Sequence, residues 1–289
     1  WKFSTADIEE RKFWKQYPRA YAPCLSSTRK ELAEVPGMLD RFRQEVKVAR
    51  RVTHANVVRT FDLGQHGDDH FLTMEYVDGR ALAAVLESGL LPLDEALRIA
   101  RGIADCLAAA HASDVVHRDL KPDYVRVGKA GRIAITDFGI ARLAESPAVT
   151  GDRFVGTPAY MAPEQVEGRE LGPAADVYAF GAILFELATG RRAFAGADPF
   201  AVALARLREA PPDPRQVRAV PDALAELTLR CLAREPEGRP RDGRELVTAL
   251  GAIRTADATV PAPFLPSVPA QKSRAVAILP LRATGELAE

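Results

Sequence analysis

Three short motifs, in one order along the chain, constrain this sequence more than anything else in it. They are His117-Arg118-Asp119-Leu120-Lys121-Pro122-Asp123-Tyr124-Val125, then Asp137-Phe138-Gly139, then Ala162-Pro163-Glu164. Each alone is weak, since a triplet such as D-F-G occurs by chance in many proteins. Together, in this order and at these intervals, they leave very few folds that hold all three.

Around them lies the pattern of a mixed domain that is mostly helical. Leu39, Phe42, Val46 and Ala49 recur at helical spacing. Strands are expected near 57–64 and 71–76, separated by the turn-rich Gln65-His66-Gly67-Asp68-Asp69-His70. A short helix is expected over 80–87, ended by Gly89. Asp94 is placed to N-cap a long helix reaching about residue 112, with Leu97, Ala100, Ile103, Ala104 and Leu107 on one face. Ile133-Ala134-Ile135 has the character of a strand. Residues 177–187 are apolar nearly all round and stop at Gly190, as a buried helix should. Three further helices are expected near 198–209, 222–233 and 242–253.

Composition excludes several classes of function. Of 289 residues, 47% are hydrophobic and 27% charged, enough for a substantial core. Lys plus Arg and Asp plus Glu balance at 39 each, so no global field draws the chain to nucleic acid or an anionic membrane. The basic run Arg239-Pro240-Arg241 is itself offset by Glu235, Glu237 and Asp242. Cys24, Cys106 and Cys231 are scattered, which fits free thiols and a cytoplasmic location. The His residues show no metal-ligand spacing. No apolar run reaches the roughly 18 residues of a membrane span. Trp1 stands first with no signal-peptide pattern after it, so a piece of a longer protein is expected.

The three motifs resemble the catalytic loop, metal loop and P+1 end of a bacterial, eukaryotic-like serine/threonine protein kinase, over about residues 32–253. The resemblance implies an α+β, bilobal fold, with a small β-rich N-lobe, incomplete here, and a larger helical C-lobe. It implies that Asp119 accepts the substrate hydroxyl proton and that Lys121 steadies the transferred phosphoryl group. Asp137 becomes a Mg²⁺ ligand, and Arg118 the pocket for a phosphorylated activation-loop residue. Met74, Glu75 and Val77 take the gatekeeper and hinge positions beside adenine, with Met74 equally at home as core packing. Glu45 becomes the ion-pair carboxylate of helix C. Thr157 matches the P+1 threonine of serine/threonine kinases, and Thr150 is the candidate phosphosite, an unmodified loop Thr being the alternative. Glu164 is expected to pair with Arg239 in a buried structural ion pair, and Asp176 to hold the catalytic-loop backbone.

Departures from the family pattern matter as much. The first glycine is Gly37, so the Gly-rich phosphate cover is missing from residues 1–31. Ser26 stands where a strand Lys should contact the phosphates; Lys30, or Lys12 and Lys15 from an earlier strand, could substitute for it, a solvated surface lysine being the expected reading of each. Tyr124 replaces the metal-binding Asn; a phenol is a poor ligand for a hard cation. Arg126 replaces the apolar floor under adenine, a costly burial unless it pairs. The expectation is a serine/threonine kinase domain of impaired catalysis, with ATP and Mg²⁺ binding in doubt and a protein substrate or partner kinase. The alternative is a pseudokinase scaffold without phosphotransfer. Residues 254–274 have the composition of a Pro/Ala-rich linker. Ala275-Val276-Ala277-Ile278-Leu279-Pro280-Leu281 is a buried-strand pattern that faintly resembles the start of a TolB-like sensor domain in 275–289.

Overall fold

The computed structural model describes residues 44, 46–48, 50–66, 69–129, 131–138, 158–196 and 198–253. They form an α+β fold with a small strand-containing N-lobe and a larger helical C-lobe. Gln44 and residues 46–48 are helical, in keeping with the expected amphipathic helix.

In the N-lobe, β1 (Thr60–His66) pairs antiparallel with β2 (Asp69–Met74), with an irregularity between Thr60 and Asp62. The broad turn expected over 65–70 is corrected: Gln65↔His70 and His66↔Asp69 belong to the ladder. Cross-strand backbone bonds do not depend on side-chain type, so polar composition there does not signal the loss of pairing.

A second sheet runs β3 (Gly79–Ala81), β4 (Val125–Gly128), β5 (Ile133–Ile135), all antiparallel. Residues 79–81 are therefore strand, and the short helix α1 is confined to Leu82–Leu86. Val57 adds a parallel bridge to Ile135, with Val58 N–H donating to the Ile135 carbonyl at 3.0 Å and Ile135 N–H to that of Asn56 at 2.9 Å. The segment leading into β1 is thus fastened to the strand that precedes Asp137.

The long helix α2 spans Leu93–His111. Asp94 is not its N-cap: Pro92 takes that place, leaving Asp94 and Glu95 in the first turn, where their charges oppose the helix dipole. The buried face of α2 includes the expected Leu97, Ala100, Ile103, Ala104 and Leu107. At Gly102 an added Cβ would lie 2.6 Å from that of Ile133, so only glycine lets α2 approach β5 this closely. Asn56 locks the same junction, its side-chain amide donating to the Gly102 carbonyl at 3.1 Å.

After a short helix α3 (Pro163–Val166), α4 (Pro173–Thr189) runs through the centre of the C-lobe. Val177, Phe180, Ile183 and Leu187 are wholly inaccessible. The helix ends at Gly190, whose φ of 71° is the left-handed cap that glycine adopts without strain. Helices α5 (Pro199–Arg208), α6 (Asp222–Cys231) and α7 (Gly243–Ala252) complete the lobe. Asp198 caps α5 through Ala201 N–H, and Asp242 caps α7 through Arg244 and Glu245 N–H. No described helix is long and apolar enough to cross a membrane.

Candidate active site

The motif loop leaves α2, passes through 115–121, makes one 3₁₀ turn at Pro122–Tyr124 and enters β4. Its shape is fixed from behind by Asp176 in the first turn of α4. That carboxylate, 1% exposed, accepts from the backbone N–H groups of His117 at 2.7 Å and Arg118 at 2.8 Å. It also lies 2.9 Å from His111 Nε2. His111 Nδ1 accepts from Gly243 N–H at 3.0 Å, so the ring proton sits on Nε2 and points at Asp176. The loop backbone is thereby referred to α4 and α7 at once. From the front, Gln165 donates to the Arg118 carbonyl at 2.6 Å. Arg118 adopts φ 69°, a left-handed conformation that this bracing imposes on a non-glycine residue.

Within the loop, Lys121 Nζ lies 2.9 Å from Asp119 Oδ2 and 4.5 Å from the centroid of the Tyr124 ring. Burial opposes the Lys121 charge, but Asp119 and Tyr124 outweigh it and hold the ammonium above its ordinary value. Burial pushes the Tyr124 phenol up to about 12 against the pull of Lys121. Tyr124 is thus neutral, and its ring caps the lysine. Asp137 stands at the end of β5 with φ 63°. Burial pushes its carboxyl up to about 6, against His117, a Thr136 hydroxyl bond at 3.3 Å and Lys121. Behind Asp137, Phe138 meets the His117 ring edge-on at 4.8 Å, and His117 Nε2 lies 3.0 Å from the Thr136 carbonyl.

Arg126 finds a hydrogen-bond partner: Nη2 donates to the Gly79 carbonyl at 2.7 Å, across the β3–β4 pair. Met74 is 2% and Val77 7% exposed. Between them the Glu75 carboxylate is half-buried and bound by Arg132 through both terminal nitrogens. Burial alone would raise its pKa; the Arg132 hydrogen bond and charge prevail and hold it low. Arg132 Nε bonds the Ala55 carbonyl at 2.6 Å, tying this strand exit to the turn before Val57.

Away from the loop, Glu164 and Arg239 form the expected pair. Two parallel contacts of 2.7 and 2.9 Å join them, the side chains 3% and 0% exposed. Arg239 also donates to the Ala174, Ala233 and Arg234 carbonyls.

The model of the protein kinase domain family matches residues 25–248. The chain belongs to the protein kinase family. Its relatives are bacterial serine/threonine kinases. PkaA of Streptomyces coelicolor is 45% identical over 218 residues, covering 73% of this chain and 39% of that protein. The kinase drp72 of Corynebacterium efficiens is 36% identical over 269 residues, covering 90% of this chain and 50% of that one. The PknI kinase domain of Mycobacterium tuberculosis superposes with a TM-score of 0.62 at 26% identity, over 78% of this chain and 83% of that structure. The chain spans half or less of the length of the two curated relatives.

In this kinase domain the structure draws together Arg118, Asp119, Lys121, Tyr124, Asp137 and Asp176 around one loop. Met74, Glu75, Val77 and Arg126 lie where β2 ends and β3 meets β4. Glu164 and Arg239 form a separate brace beneath the segment that follows Tyr160. Glu45, Ser26, Thr150, Thr157, the glycine-poor N-terminal stretch and residues 254–289 lie outside the described residues. Sequence reasoning missed His111, Gln165 and Arg132. His111 looked like an ordinary helix-end residue, and nothing in one dimension shows its two partners far along the chain.

Proposed function

We propose that this serine/threonine kinase domain is catalytically impaired, a kinase framework whose nucleotide-facing positions have changed. The observation that carries the reading is Tyr124, a neutral, largely buried phenol whose ring lies on Lys121. ATP with Mg²⁺, when bound, would supply the phosphoryl group and neutralise its charge. Asp137 fits a hard cation of this kind, which commonly takes one or two carboxylates and completes its shell with phosphate oxygens and water. Tyr124 does not fit a second cation. The backbone around Glu75 and Val77, with Met74 behind, would hold the base.

In the proposed division of roles, Asp119 receives the substrate hydroxyl proton. Lys121 keeps its charge beside Asp119. Arg118 has a buried Nε without an acceptor among the described residues, suited to a phosphate on the activation segment at Thr150. Thr157 would face the P+1 residue of a protein substrate. Each lost phosphate contact weakens positioning, and such losses multiply in rate. The alternative is a pseudokinase module that docks a partner kinase or a following sensor domain beginning near 275. The Asp176 and Glu164–Arg239 braces would hold the shape that such docking requires.

Thermal unfolding with and without millimolar Mg²⁺-ATP, beside Asp137→Ala, tests the reading. Ligand at about 100 times its Kd would stabilise the fold by roughly 2.7 kcal/mol. The expected result is no shift in either protein, with no phosphate transferred to a protein acceptor. A shift abolished by Asp137→Ala, accompanied by phosphotransfer, overturns it.

A further inference from the structure

Two buried side chains beside the end of the activation segment carry donors that the fold leaves unused. Arg206, in α5, is 2% exposed; its Nη1 donates to the Met161 carbonyl, while Nε and Nη2 have no acceptor among the described residues. Tyr178, in α4, is 1% exposed, and its hydroxyl has no partner among the described residues either. The Arg206 guanidinium lies 5.7 Å from the centre of the Phe194 ring, so an aromatic face meets it there. After burial itself, the charge acting most on the Tyr178 phenol is that of Arg206, ahead of Arg239 and Glu164.

Charge balance sharpens the point. Among the described residues, Glu164 is the carboxylate that acts on the Tyr178 phenol, and Arg239 occupies both of its oxygens. Arg239 also stands 4.9 Å from the Tyr178 ring centre. Among the described charges acting on Tyr178, two guanidiniums and one carboxylate leave an excess positive charge. Arginine cannot shed its proton to relieve this, and a buried ion without a counter-ion is among the costliest things a fold can hold. A neutral water would accept the spare hydrogen bonds and leave the charge; an anion answers both.

We propose that Arg206 Nε and Nη2 with the Tyr178 hydroxyl form a binding site for one small monovalent anion of the halide class. Occupancy holds Arg206 against Met161, immediately before Ala162-Pro163-Glu164, and so steadies the platform on which the activation segment ends. The site is separate from the catalytic loop and does not depend on phosphotransfer.

The test is thermal unfolding of the full chain in sodium gluconate titrated with chloride, bromide or acetate at constant ionic strength. Chloride and bromide should raise Tm saturably. At tenfold excess over Kd the rise is about 3–6 °C for a domain of this size. Acetate should do so weakly or not at all. Tyr178→Phe, which keeps the ring, should shift the midpoint to higher halide, and Arg206→Met should remove the dependence. A bromide soak should place one anomalous scatterer between the two side chains. Equal Tm in all salts, saturation by acetate in place of halide, or an unaltered halide response in Tyr178→Phe overturns the proposal. So does a bromide-soaked crystal without that peak, even if Arg206→Met fails to fold.

Discussion

Replacing Glu164 by Gln takes one charge out of a pair that the C-lobe has buried almost completely, with side chains 3% and 0% exposed. At the surface such a pair would contribute about 0–1 kcal/mol. Here the partner cannot return to water, and breaking a buried pair from one side costs roughly 3–5 kcal/mol. Glu164→Gln should fall near the lower end, about 3 kcal/mol, because the amide oxygen still accepts one bond and Arg239 keeps the Ala174, Ala233 and Arg234 carbonyls. Arg239→Met should reach the upper end, about 5 kcal/mol, because it strands a carboxylate and three carbonyls together. With about 2–4 °C of Tm per kcal/mol for a domain of this size, the shifts are roughly 6–12 °C and 10–20 °C. The double variant Glu164→Gln, Arg239→Met should cost clearly less than the sum, since the second change removes the partner that the first left unsatisfied. Urea unfolding followed by circular dichroism gives all three values. Additive single-variant costs, or a Glu164→Gln cost below about 1 kcal/mol, would refute the reasoning.

Three further outcomes are expected. The double reversion Tyr124→Asn, Arg126→Leu should create a Mg²⁺-ATP-dependent rise in Tm, about 3–6 °C at tenfold excess over Kd, where the parent shows none; a flat melt removes Tyr124 and Arg126 as the obstruction. Asp137 is raised from 3.8 to about 6 in the folded state, so the fold binds the extra proton between those values, and stability falls as pH rises through them, by at most about 3 kcal/mol. Without divalent cation, Asp137→Asn should therefore gain stability over the parent at pH 7.5 and lose that advantage by pH 4, and a pH-independent difference in melts would contradict it. Gly102→Ala should cost about 1–3 kcal/mol by forcing α2 from β5, measured by chemical unfolding.

How far the sequence carried can be judged residue by residue. Glu164, Asp176 and Arg239 were legible because each belongs to a motif whose neighbours fix its register. The terminus of α4 was legible because apolar surface on every side and a glycine stop are local signals. Asp94 misled because a good capping residue was read without the proline two places before it, which sets the turn first. The 65–70 stretch misled because polar composition does not report backbone pairing. Arg126 was expected to be costly unless it paired; its acceptor is a backbone carbonyl on another strand, and a carbonyl has no sequence signature. His111 and Gln165 were invisible for the same reason: their partners are backbone groups or residues brought close only by the packing of α2, α4 and α7.

The catalytic loop keeps its shape through contacts that ignore the side chain at position 124. Asp176 grips the N–H groups of His117 and Arg118. Tyr124 N–H donates to the Lys121 carbonyl at 3.1 Å, and its own carbonyl accepts from Thr136 N–H at 2.9 Å. All four contacts would survive any residue there except, for the third, proline. A phenol can therefore replace a smaller side chain without moving Asp119, and its effect falls on its neighbours at the reacting face: the Lys121 ammonium 4.5 Å from its ring centre and the His117 ring at 5.9 Å. Change at the reacting face and preservation of the frame are consequently independent, because the frame is written in backbone hydrogen bonds and buried charge. A Tyr124→Asn reversion should then leave Tm in the absence of nucleotide within about 1 kcal/mol equivalent of the parent, while a substitution as small as Asp176→Asn, which turns an acceptor toward three donors into a partial donor, should cost about 3 kcal/mol. Similar costs for the two would mean that the loop is held by its side chains after all.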